Sequence, residues 1–233
     1  MSATGTAKGL FAYDGRLSRV LLAAFQFFAV SALFLLTALP AIVVDQASGR
    51  ASHAAIWLGV IAALPIGPGV YAVLAGMQGF IEEGGYQGAL FRRFWRAFAT
   101  GAVRLRWLWT GMAAIELLLA YNAALYGSGD GAFLAVTAGG AVVALAAVAV
   151  CCVVLQGISG RPLEVLTIAV HAAAARPLAP LAWLAVLAAA LAATQLPVFG
   201  ANLALFLPAL AAWAILTANH RLGFDRKAAV LVR

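Results

Sequence analysis

The sequence predicts an all-α integral membrane protein: a single domain over residues 1–233, built as a bundle of six transmembrane helices with both termini in the cytoplasm. Three observations predict it. First, 65% of the 233 residues are hydrophobic, only 10% are charged, and the mean hydropathy is +1.00. A soluble domain carries about 25% charged residues. A surface this poor in charge belongs in lipid, which excludes a soluble enzyme, a secreted disulfide scaffold and a disordered chain. Second, six apolar stretches reach the roughly 17–25 residues that a helix needs to cross the hydrocarbon. They are Val20–Val44, Ala55–Phe80, Trp107–Tyr126, Ala132–Leu155, Pro177–Phe199 and Ala201–Asn219. Third, fourteen of the 15 Lys and Arg residues fall on one side of the alternation these spans create, and only Arg50 falls on the other. Basic loops stay in the cytoplasm, so both termini belong there and the span number is even.

The elements follow in order. The N-terminal segment carries Lys8, Arg16 and Arg19 and leads into Val20–Val44. That span is too long for a signal-peptide core of about 7–15 residues. After the polar turn Asp45–His53, the second span is interrupted by Leu64-Pro65-Ile66-Gly67-Pro68-Gly69. Proline lacks an N–H and clashes with the carbonyl four residues earlier. The span is therefore expected to kink or unwind about halfway, restarting after Pro68.

Between the second and third spans lies Gln87–Thr100. Leu90, Phe91, Phe94, Trp95 and Phe98 share one helical face, and Arg92, Arg93 and Arg96 fall on the other. This spacing predicts a short amphipathic interfacial helix. Its aromatics embed in the interface or pack under the bundle, while its arginines meet anionic lipid headgroups. The overall charge of +7 and pI near 10.1 have the same explanation, and no nucleic-acid partner is expected.

The third span contains Glu116, the only acidic residue inside any of the six stretches. It lies at a depth similar to that of the Pro65–Tyr71 segment. The expectation is that Glu116 faces the bundle interior with Tyr71 or Asn122, next to Pro65, Gly67, Pro68 and Gly69, and marks a polar pocket. The alternative is a protonated Glu116 that ties two helices together. In the fourth span, Cys151 and Cys152 read as inert buried thiols. The connection Arg161–Arg176 reads as a second surface helix, with Pro162 at its start and Glu164 in its first turn. Glu164, Thr167 and His171 share its polar face, which is expected to be solvated rather than metal-binding. His53 and His220 stand isolated near membrane boundaries. Small residues recur at fourfold spacing, as in Ala185, Ala189 and Ala193, which favours close helix packing.

Catalytic chemistry is missing from the pattern. There is no Walker loop, no G-x-S-x-G elbow, no CxxC pair and no haem-attachment motif. No catalytic residue, cofactor or metal is expected, and the chain reads as non-enzymatic.

One region resembles a known family. Pro65-Ile66-Gly67-Pro68, then Glu82-Glu83-Gly84-Gly85-Tyr86, then Phe91-Arg92-Arg93-Phe94-Trp95-Arg96-Ala97-Phe98 is similar to the pattern of the YesL-like family of bacterial membrane proteins. The stretch Ala32–Pro40 also looks like that family's first span, which ends in Leu-Pro. The chain departs from the pattern in the long separation between Pro40 and Pro68, which is either an insertion or the sign of a chance Leu-Pro match. The resemblance implies a bacterial plasma (inner) membrane protein of unknown biochemical role, an accessory component near carbohydrate uptake systems of the ABC type. Other membrane subunits of a sugar importer are then its expected partners, and a homo-oligomer is compatible with the same reading. The competing expectation is a small stand-alone transporter or channel that uses the polar pocket at the broken second span.

Overall fold

The computed structural model describes residues 16–48, 53–86, 88–126, 130–195 and 200–230. Among these residues every regular element is a helix. In chain order they are α1 (Arg16–Ser48), α2 (His53–Ala63), α3 (Ile66–Glu83), α4 (Leu90–Arg104), α5 (Arg106–Tyr126) and α6 (Asp130–Leu155), followed by α7 (Pro162–Ala175), α8 (Leu178–Thr194), α9 (Gly200–Ala204), α10 (Leu207–Leu222) and α11 (Phe224–Val230).

Among the described residues, four stretches are long and apolar enough to cross a membrane: Leu17–Ala47, His53–Glu83, Arg106–Leu125 and Leu134–Leu155. A fifth exists if α7 and α8, which meet at an angle of 93°, are taken as one bent span. The six expected spans are thus only partly reproduced. The fifth shrinks to α8, 17 residues, about 25 Å at 1.5 Å per residue. The sixth divides into α9 and the 16-residue α10. Composition made both look continuous, but Pro208 lies in the first turn of α10 and the chain breaks at Leu205-Phe206. The donor exposed by that break is not wasted: the Ala209 N–H bonds the Ser31 hydroxyl of α1 at 3.1 Å, with both residues buried.

The interruption in the second span is real but falls earlier than expected. The helix breaks at Leu64-Pro65, Pro65 caps α3, and the Gly69 N–H already reaches the Pro65 carbonyl at 3.1 Å. Pro68 therefore sits inside the first turn of α3, where its missing N–H costs little. The two halves still form one membrane-length stretch of 31 residues. Pro40 likewise lies inside α1, which runs on to Ser48 instead of ending at the Leu-Pro. At the far end of α3 the turn needs a left-handed residue, and Gly84 supplies it at φ 69°.

The core lies toward one end of the bundle. Tyr71, Leu74 and Met77 of α3, Phe94 of α4, Leu105, and Ala147–Val154 of α6 are all buried there. So are Trp183 and Phe224, whose rings meet edge-on at 5.0 Å. Two glycines allow close approaches here: a methyl group on Gly101 would strike the Tyr71 ring, and one on Gly67 would overlap the Trp109 ring. Trp109 locks this corner by donating its indole N–H to the Gly101 carbonyl at 3.0 Å. Toward the opposite end the packing leaves open space between the helices.

Candidate functional site

That space forms two cavities. The first, about 600 Å³, is walled by α1, α2, α3, α5, α6, α8, α9 and α10. Small side chains make the room: Ala63, Gly67, Ala113, Ala144, Ala190 and Ala211 all line it. The second, about 920 Å³, lies between α1, α2, α5 and α6, from Asp45 to Gly140. Val60, Ala63, Ile66, Met112, Glu116 and Ala144 belong to both linings.

Glu116 therefore stands at the junction of the two spaces. Its helix position explains why: Trp109, Met112, Ala113 and Glu116 follow each other at i, i+3, i+4 and i+7 on one face of α5. All four line the first cavity. A carboxylate in the middle of a span costs on the order of 3 kcal/mol unless it is paired or protonated. The remaining polar side chains of this wall are already engaged, since the Thr194 hydroxyl donates to the Leu191 carbonyl at 2.7 Å and Trp109 is held by Gly101.

Of the residues expected around a polar pocket, the structure brings Glu116 and Gly67 to the same cavity. Pro65, Pro68, Gly69, Tyr71 and Asn122 do not line it. Gly69 instead packs against Thr37 of α1, Tyr71 is buried against Gly101, and Asn122 is exposed on the outer part of α5. The wall is consequently apolar with one carboxyl, rather than a cluster of polar groups.

The arginine-rich helix begins at Leu90 and extends to Arg104, longer than the Gln87–Thr100 expected; Gln87 lies outside the described residues. Phe94 is buried, Trp95 and Phe98 are partly buried, and Trp95 makes edge-on contacts with Phe91, Phe94 and Phe98 at 6.1, 5.7 and 5.2 Å. This aromatic face packs beneath α3. Phe91, although in contact with Trp95, is 65% exposed, and Arg92, Arg93 and Arg96 are all exposed. Arg93 also meets Glu83 at 2.6 Å across the turn, joining α4 to the end of α3.

The other polar residues have local duties. Glu164 accepts the Arg161 N–H at 3.0 Å, and the His171 ring nitrogen lies 2.9 Å from the Thr167 carbonyl, on an exposed face of α7. Among the described residues no group of three His, Cys, Asp or Glu could hold a metal. His53 is not isolated: its Nδ1 lies 3.4 Å from the Tyr121 hydroxyl, which also accepts the Trp57 indole N–H at 3.2 Å. Sequence reasoning missed Trp109 as a cavity wall, although its i, i+7 spacing to Glu116 was readable. No protein-family model, curated protein or solved structure matches the chain.

Proposed function

We propose that this is a non-enzymatic protein of the bacterial inner membrane, with six spans and cytoplasmic termini, that holds a solute with an apolar surface in the cavity at its broken second span, as a small stand-alone transporter would. The observation that carries the reading is the cavity of about 600 Å³, open on one side and lined by eight helices. Its size is within the range of about 300–1,000 Å³ usual for small-molecule sites. The distribution of basic residues supports the topology. Counting α8 and α9–α10 as spans five and six keeps Arg161, Arg176 and the C-terminal cations on the side of Arg92 and Arg93.

The role of accessory component in a carbohydrate uptake system is kept as a second reading, on one observation: the exposed Arg92, Arg93 and Arg96 beside the exposed Phe91. Such a surface suits another membrane subunit as well as a headgroup. A sugar is a poor guest for the cavity itself, whose wall has too few hydrogen-bonding groups for its hydroxyls. Any link to carbohydrate therefore runs through a partner.

Cavity filling tests the first reading. Ala144 lines both spaces, so Ala144→Phe places a ring at their junction. Radiolabelled triphenylmethane, a neutral apolar probe, is expected to bind the purified wild type saturably and the filled variant at least roughly tenfold more weakly. Equal retention by both proteins rejects the cavity as a binding site.

A further inference from the structure

We infer that the cavity beside Glu116 takes an organic cation with an apolar skin, for which the Glu116 carboxylate is the counter-charge. The inference deepens the cavity reading above and rests on it, naming the ligand class of the same site.

The first observation is position: Glu116 lines both cavities, so a guest in either space reaches its carboxyl. The second is what the wall lacks. Among the described residues, neither lining holds a Lys, Arg or His. The third is what else the wall offers. In the first cavity the Thr194 hydroxyl and the Trp109 indole N–H already donate to carbonyls of their own surroundings, and the side chains other than Glu116 are apolar.

These facts discriminate between guests. A neutral polar molecule would leave its own donors and acceptors unpaired against apolar walls. An anion would face the carboxylate. A purely apolar guest would fill the space but leave the charge uncompensated. A cation whose charge is wrapped in apolar groups satisfies both features, because the walls receive its skin and Glu116 its charge. Phe34 and Trp109 line the same cavity, and aromatic faces favour a cation further.

The test compares tetraphenylphosphonium with triphenylmethane on the purified full chain. Wild type is expected to bind tetraphenylphosphonium saturably, and Ala144→Phe is expected to lose it together with triphenylmethane. Glu116→Gln should weaken tetraphenylphosphonium by roughly ten- to hundredfold, and Glu116→Asp, which keeps the charge, should stay far closer to wild type. Equal tetraphenylphosphonium affinity in wild type and Glu116→Gln overturns the inference while triphenylmethane retention leaves the cavity reading standing. Wild type that retains neither probe rejects both. Should the Gln variant not fold, wild type alone decides: saturating tetraphenylphosphonium is expected to slow dicyclohexylcarbodiimide labelling of Glu116 several-fold, and undiminished labelling overturns the proposal.

Discussion

Asn219 is fully enclosed in the last turn of α10, and both ends of its amide are used. It accepts the Trp183 indole N–H at 2.7 Å and donates to the Cys152 sulfur at 3.2 Å. Cys152 is thus a hydrogen-bond acceptor as well as a small core residue, which its place in an apolar run did not reveal. Asn219 and Trp183 stand 36 residues apart, and no helical periodicity connects them. A few residues on, Asp225 opens α11 with its Oδ1 buried and without a hydrogen-bond partner. Burial pushes its carboxyl above the ordinary 3.8, and His220 at the end of α10 pulls it back in part. A carboxyl raised in the folded state favours folding when protonated, so that contribution is complete below the unfolded pKa and is lost as pH rises through the folded one. The thermal midpoint of the purified protein should therefore fall as pH rises above about 4, the unfolded carboxyl's range. Asp225→Asn should flatten this part of the profile and raise the midpoint at the neutral end. A variant profile parallel to that of wild type would reject Asp225 as the cause.

At the scale of elements, legibility followed the strength of the local signal. The period of Leu90–Phe98 gave α4 and its two faces, and Pro162 with Glu164 gave the start of α7, because periodicity and capping are properties of adjacent residues. The break in the second span was readable for the same reason, although a proline's effect is felt before it as well as at it, which put the break at Leu64-Pro65. The ends of α8, α9 and α10 were not readable. In an alanine-rich stretch hydropathy stays high through a break, and the break is tolerated because Ser31 of a distant helix caps it. For α4 the prediction concerns its charged side. A basic residue near an anionic surface contributes about 1 kcal/mol, and Arg92, Arg93 and Arg96 are all exposed. Changing the three to Gln should weaken retention on phosphatidylglycerol-containing vesicles, measured by flotation, more at low salt than at high. If vesicle retention stays unchanged and a co-purifying membrane subunit is lost instead, these arginines belong to a protein partner.

At the scale of the whole molecule, composition announced a membrane protein, whereas the cavity could not be read from it, because eight helices far apart in sequence build its wall. Topology joins the two levels. The basic residues demand an even number of crossings, while helix length alone gives four spans or up to five. Five would put the C-terminus opposite the arginines of α4. Four would keep all of α7–α11 on their side. Six would require α8, about 25 Å long, to span with local thinning of the bilayer, a cost of only fractions of a kcal/mol per Å. Five carries the cost of holding the C-terminal cations on the wrong side, and four that of leaving the apolar α8 and α10 outside the hydrocarbon, so six is the expected outcome. Single cysteines in a Cys151→Ala, Cys152→Ala background separate the three cases through an impermeant thiol reagent on intact cells. Positions 48 and 128 should react and positions 89 and 229 should not. Position 195, at the end of α8, decides the rest. Reaction there with protection at 229 establishes six spans, protection at both leaves four, and reaction at 229 with protection at 89 leaves an odd number and overturns the rule of charges for this chain.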